Sequence, residues 1–99
     1  MFTINENNLK IDGLKKSYKL MLITDTHFTL FGENETPERA EYAKPRVPHF
    51  ADHVTGRPPL DCVLEYIDYA NKNDFDIVLF AGDVIDFPSP ENISALRKV

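Results

Sequence analysis

Two short apolar runs, each ending at an aspartate, constrain this chain more than any other feature. The first, Leu20-Met21-Leu22-Ile23-Thr24, runs into Asp25-Thr26-His27; the second, Ile77-Val78-Leu79-Phe80-Ala81, runs into Gly82-Asp83-Val84-Ile85-Asp86. Apolar runs of this length without alternation predict strands buried on both faces, the kind found in parallel sheets. Side by side and parallel, the two strands bring Asp25 and Asp83 out together at the carboxyl edge, where open α/β sheets place their ligands. Two carboxylates there repel, and one resists ionising unless a cation holds both. His27, two residues beyond Asp25, completes a set of oxygen and nitrogen donors suited to a divalent metal. The bland alternative is that strand-end aspartates cap a helix or satisfy turn amides.

The intervening chain predicts a crossover between parallel strands. Leu60, Val63, Leu64 and Ile67 recur at helical spacing, with Asp61, Glu65 and Asp68 on the other side, so a helix is expected from about Leu60 to Lys72. Strand, helix and strand make a βαβ unit, expected to be right-handed. Before it, residues 28–59 read as an unusually long polar loop containing Pro37, Pro45, Pro48, Pro58 and Pro59. Within that loop Thr36-Pro37-Glu38 is able to start a brief helix. The loop leaves from the edge that carries Asp25 and His27, so it is placed to shape a substrate pocket. Arg39, Lys44, Arg46 and Arg57 within it are candidate phosphate-steering groups, although solvated loop charges explain any one of them as well. His49 and His53 share a four-residue spacing but lack a third donor.

At the N-terminus, Phe2-Thr3-Ile4 and Leu9-Lys10-Ile11 flank Asn5-Glu6-Asn7-Asn8 and read as a hairpin lead-in over residues 1–17. Toward the other end, Ser89-Pro90-Glu91 is a helix start, with Ser89 as cap and Pro90 in the first turn. Ile93 and Leu96 begin an apolar face without a stop signal before Val99, so the chain reads as the N-terminal portion of a longer domain. The net charge of −5 argues against a general nucleic-acid surface. The single cysteine, Cys62, excludes an internal disulfide and suits a reducing compartment. Without a secretion signal or an apolar run of membrane-spanning length, a cytoplasmic protein is expected.

A buried strand followed by Asp25-x-His27, then a helix, then a buried strand followed by Gly82-Asp83-x-x-Asp86, resembles the calcineurin-like metallophosphoesterases. The resemblance covers the first two sequence blocks of that family, from about Tyr18 to Val99. It implies an α/β fold, the N-terminal part of a layered αββα sandwich. It also implies hydrolysis of phosphate mono- or diesters by two divalent or trivalent metal ions, with manganese, iron and zinc all suited to the donors. By position, Asp25 and His27 bind the first metal and Asp83 bridges both. Asp86 is an acceptor behind the ligands rather than a ligand itself. Gly82 allows a tight turn where a side chain would crowd the metals.

The family's later blocks, an Asn-His pair and further histidines, are not present in these residues. Three donors do not fill the shells of two metals, so the chain on its own is expected to be inactive and to need the remainder of its own domain. Two rivals follow from other classes. A non-catalytic scaffold or interaction module keeps the fold and loses the chemistry. A Rossmann-like nucleotide binder is weakened because neither strand is followed by a glycine-rich loop.

Overall fold

The computed structural model describes residues 3–30 and 35–99. It is a small α/β arrangement with the order β1 (Leu20–Thr24), α1 (Pro37–His49), α2 (Pro59–Lys72), β2 (Ile77–Ala81) and α3 (Pro90–Lys98). The strands pair in parallel and in register, Leu20 opposite Ile77 through to Thr24 opposite Ala81. That register is set at the entry to the sheet. The Lys19 carbonyl accepts from the Asp76 amide at 2.7 Å, while the Lys19 amide donates to the Asp76 carboxylate at 2.7 Å. A parallel pair needs a long crossover, and α1 and α2 lie within it.

The strand limits agree with the apolar runs, but within the described residues these strands are not buried on both faces. Ile23 is the one strand residue that is buried, and Leu20, Leu22, Ile77 and Leu79 are exposed. Among the described residues, one side of the sheet is partly covered, with Met21, Val78 and Phe80 half-buried beside Ile23, and the other is open. Burial is concentrated instead just past the strand ends, where Phe28, Thr29, Ser89 and Asn92 are all nearly inaccessible.

Two other expectations are corrected. Residues 3–19 form no strand, so the hairpin is not made; its Phe2 lies outside the described residues. Leu9 and Ile11 are exposed there. An isolated two-stranded hairpin with no face to lie on is marginal at best, which accounts for the loss. The 28–59 segment, of which residues 31–34 lie outside the described residues, is not a loop throughout. Phe28 continues beyond β1 in a parallel bridge to Ile85, and α1 occupies 13 residues despite Pro45 and Pro48. Thr36 caps it as expected, its hydroxyl accepting from the Arg39 amide. Both prolines fall in the last five residues of α1, so the two amide hydrogen bonds that they remove come from its final turns and the earlier turns stay intact. Among the described residues, no helix is long and apolar enough to cross a membrane.

The remaining helices follow their patterns. α2 starts one residue earlier than its apolar spacing indicates, with Pro59 in its first turn, and buries Val63 and Ala70. In α3 the Ser89 hydroxyl accepts from the Asn92 amide at 3.1 Å, the expected cap. Asn92 then ties the helix start to the chain beyond β1, its Oδ1 accepting from the Leu30 amide at 2.7 Å and its Nδ2 donating to the Phe87 carbonyl at 2.9 Å.

Candidate metal centre

The segments leaving the two strands hold each other through their backbones. The Asp25 amide donates to the Ala81 carbonyl at 3.1 Å, the His27 amide to Asp83 at 2.9 Å and the Phe28 amide to Val84 at 3.0 Å. In return, the Asp86 amide donates to the Phe28 carbonyl at 3.0 Å. The Thr26 hydroxyl adds a bond to the Val84 carbonyl at 2.8 Å. This lacing aims Asp25, His27 and Asp83 at one point, and one donor atom from each lies within 4.8 Å of the others.

Making that convergence strains the backbone. Asp25 and His27 sit at φ 49° and 45°, in the left-handed region that non-glycine residues rarely occupy. Gly82 is there too, at φ 71°, and a Cβ on it would come within 2.7 Å of the Asp25 Cγ. Glycine is therefore favoured by conformation, and a side chain there would push the Asp25 carboxylate aside. Residues held in such regions cluster at functional sites, where surrounding contacts over-determine them.

The three donors are not equivalent. Asp25 Oδ1 accepts from the Asp83 amide at 3.1 Å, so the turn-satisfying role of a strand-end aspartate is realised along with the placement of the carboxylate. The Asp83 carboxylate is 74% exposed, and its Oδ2 lies 3.9 Å from His27 Nε2. Two donors each about 2.1 Å from one cation stand at most ~4.2 Å apart, so this pair already meets the requirement. His27 is half-buried, with its ring stacked on Phe50 at 4.6 Å and 5° between planes. Its Nδ1 is buried without a hydrogen-bond partner among the described residues, and the Asp86 Oδ1 lies 3.5 Å away.

Asp86 differs from Asp83, three residues earlier, in burial and in partner. Its side chain is 2% exposed and is gripped by Arg46 through a two-pronged pair, Nε to Oδ2 and Nη2 to Oδ1, the latter at 2.7 Å. The Arg46 hydrogen bond holds the Asp86 carboxyl below the usual carboxylate range despite burial, and Asp86 raises Arg46 in turn. Asp86 thus stands behind His27 and outside the donor group.

Arg46 is the residue whose place the sequence did not reveal. Its charge is committed to Asp86 across 40 residues of chain. Arg57 is likewise paired with Glu65, and Lys44 with Glu41 at 2.6 Å. His49 and His53 are exposed, and neither joins the donor group; His49 meets Phe50 edge-on. Burial pushes the Cys62 thiol up, which suits a packing residue rather than a nucleophile. Comparison of the chain with models of known protein families, with curated proteins and with solved structures finds no match.

Proposed function

We propose that this chain supplies part of the metal site of a phosphoesterase that hydrolyses phosphate mono- or diesters. The observation that carries the reading is the convergence of Asp25, His27 and Asp83 at the carboxyl ends of two parallel strands. The resemblance of Asp25-x-His27 and Gly82-Asp83-x-x-Asp86 to the calcineurin-like metallophosphoesterases supplies the reaction class. The donor chemistry fits a cation: two carboxylates and an imidazole suit manganese, iron or zinc.

Each residue then has a task set by its surroundings. Asp25, fixed by the Asp83 amide through Oδ1, keeps Oδ2 for a cation. Asp83, largely exposed, has two oxygens to share and is the candidate bridge between two metals. His27 offers Nε2 on the side facing Asp83, while Nδ1 faces Asp86. Gly82 keeps the space beside Asp25 clear. Bound metal ions would acidify water and clamp the attacking and leaving oxygens of an in-line displacement at phosphorus. Three donors complete neither of two coordination shells, so the second metal and the remaining ligands are assigned to the remainder of the domain.

The test uses the complete protein. After treatment with chelator it is expected to lose hydrolysis of an aryl phosphate and to regain it on addition of Mn²⁺. Hydrolysis indifferent to chelator, or absent with manganese, iron and zinc alike, would overturn the reading.

A further inference from the structure

We propose that Arg46 is a positioning residue for His27, acting through Asp86 and assisted by Phe50. The proposal rests on the metal-site reading for its purpose, but its geometry is independent of that reading. Arg46 lies near the end of α1 and reaches the segment beyond β2, where its guanidinium fork engages both oxygens of the buried Asp86 carboxylate. A fork of this kind fixes the plane of the carboxylate as well as its charge. The Asp86 backbone is anchored to the Phe28 carbonyl, one residue past His27. Held at both ends, Asp86 keeps Oδ1 at 3.5 Å from His27 Nδ1.

The same element controls the ring's other face. Phe50 donates its amide to the Arg46 carbonyl at 3.1 Å and stacks its ring on the imidazole. The Arg46 guanidinium lies 5.4 Å from the Phe50 ring centroid and 5.0 Å from that of Tyr42. The end of α1 therefore braces His27 by its edge and its face at once. An oriented carboxylate opposite Nδ1 favours the neutral tautomer with the proton on Nδ1, which leaves the Nε2 lone pair free on the side of Asp25 and Asp83. Arg46 and Phe50 are distant in sequence from the donors, and α1 gains a role in addition to spanning the crossover.

The experiment reads the tautomer directly. The complete protein is labelled with ¹⁵N-histidine and studied metal-free at about pH 8.5, above the ordinary imidazole range, with His27 assigned through a His27→Gln variant. Ring proton–nitrogen correlations are expected to show His27 protonated on Nδ1. Arg46→Met is expected to shift His27 toward a mixture of tautomers and to weaken Mn²⁺ binding, measured by calorimetry, by ~10- to 100-fold. Arg46→Lys keeps the charge without the fork and is expected to restore part of both. Should Arg46→Met fail to fold, Arg46→Met/Asp86→Asn removes the buried unpaired charge and is expected to fold while still losing the Nδ1 preference. A folded Arg46 variant with the wild-type tautomer and wild-type Mn²⁺ affinity would overturn the proposal. Absence of Mn²⁺ binding by the wild type, with the tautomer still shifting in Arg46→Met, supports the brace and removes the metal-site reading instead.

Discussion

The strand bodies and the segments just beyond them are held in opposite ways. Of the ten residues in β1 and β2, Ile23 alone is buried, and Leu20, Leu22, Ile77 and Leu79 are exposed. Just past the strand ends, Phe28, Thr29, Ser89 and Asn92 are each 2% exposed or less. The strands are ordered by a ladder with one face open among the described residues, whereas the edge is ordered by reciprocal amide bonds, a cap and a buried asparagine. The donor group sits on the second kind of structure. Its geometry therefore depends on contacts between residues 25–30 and 81–92 and on the end of α1 against His27 and Asp86, and little on the open sheet face.

The largest effect that would sharpen this contrast is chemical. Asp83→Asn keeps the size of an exposed side chain but removes the charge proposed to bridge two cations, at almost no cost to packing. Metal ions contribute several kcal/mol to such reactions, so hydrolysis by the complete protein is expected to fall roughly a thousandfold with the fold retained. Elemental analysis should show lost metal. Unchanged metal content and turnover would remove Asp83 from the site.

Phe28→Ala probes the packed side of the contrast and is expected to destabilise by about 3–5 kcal/mol, read from denaturant midpoints. Gly82→Ala should cost about 1–2 kcal/mol through its positive φ alone, and it should weaken metal binding because the new Cβ displaces the Asp25 carboxylate. A Gly82→Ala protein with wild-type stability and affinity would mean that the turn relaxes freely and the strain is not built in.

Acid should act on the same edge. Asp86 is held below the ordinary carboxylate range in the folded chain, chiefly by the Arg46 hydrogen bond. A depressed carboxyl contributes stability that is present above its unfolded value of ~3.9 and is lost as pH falls through the folded value. Wild type and Asp86→Asn are therefore expected to differ most near neutrality and to converge below about pH 4. Thermal melts across that range check it; a difference that stays constant into acid would mean the pair adds nothing through charge.

How much was legible in the sequence follows the same division. Both strands and the parallel placement of Asp25, His27 and Asp83 were readable because each is signalled locally, by an apolar run and the residues that end it. The α2 periodicity and the Ser89-Pro90 helix start were readable for the same reason. The length of α1 was not, because Pro45 and Pro48 speak locally against a helix. Contacts such as Arg46 with Asp86 and Phe50 with His27 join residues far apart in the chain. The hairpin failed in the other direction: alternation around Asn5–Asn8 is a local signal with no face to bury against. Continuous apolar strands predicted two covered faces, and the described residues cover one in part.

The smallest expected effect on stability, and the one that bears most directly on the uncovered strands, comes from Leu22 and Leu79. Threonine introduces β-branching, which suits a strand, while removing apolar surface. Because both leucines are exposed, Leu22→Thr and Leu79→Thr are each expected to change the stability of residues 1–99 by less than about 0.5 kcal/mol. An open apolar face beside an unpaired strand edge favours association with other chains, so residues 1–99 are expected to self-associate and the double variant to do so less. Sedimentation velocity measures this. A monodisperse wild-type chain would show that the open face does not drive association. A loss of several kcal/mol in the single variants would show that the leucines are covered in solution, and the contrast between bare strands and packed edge would then disappear.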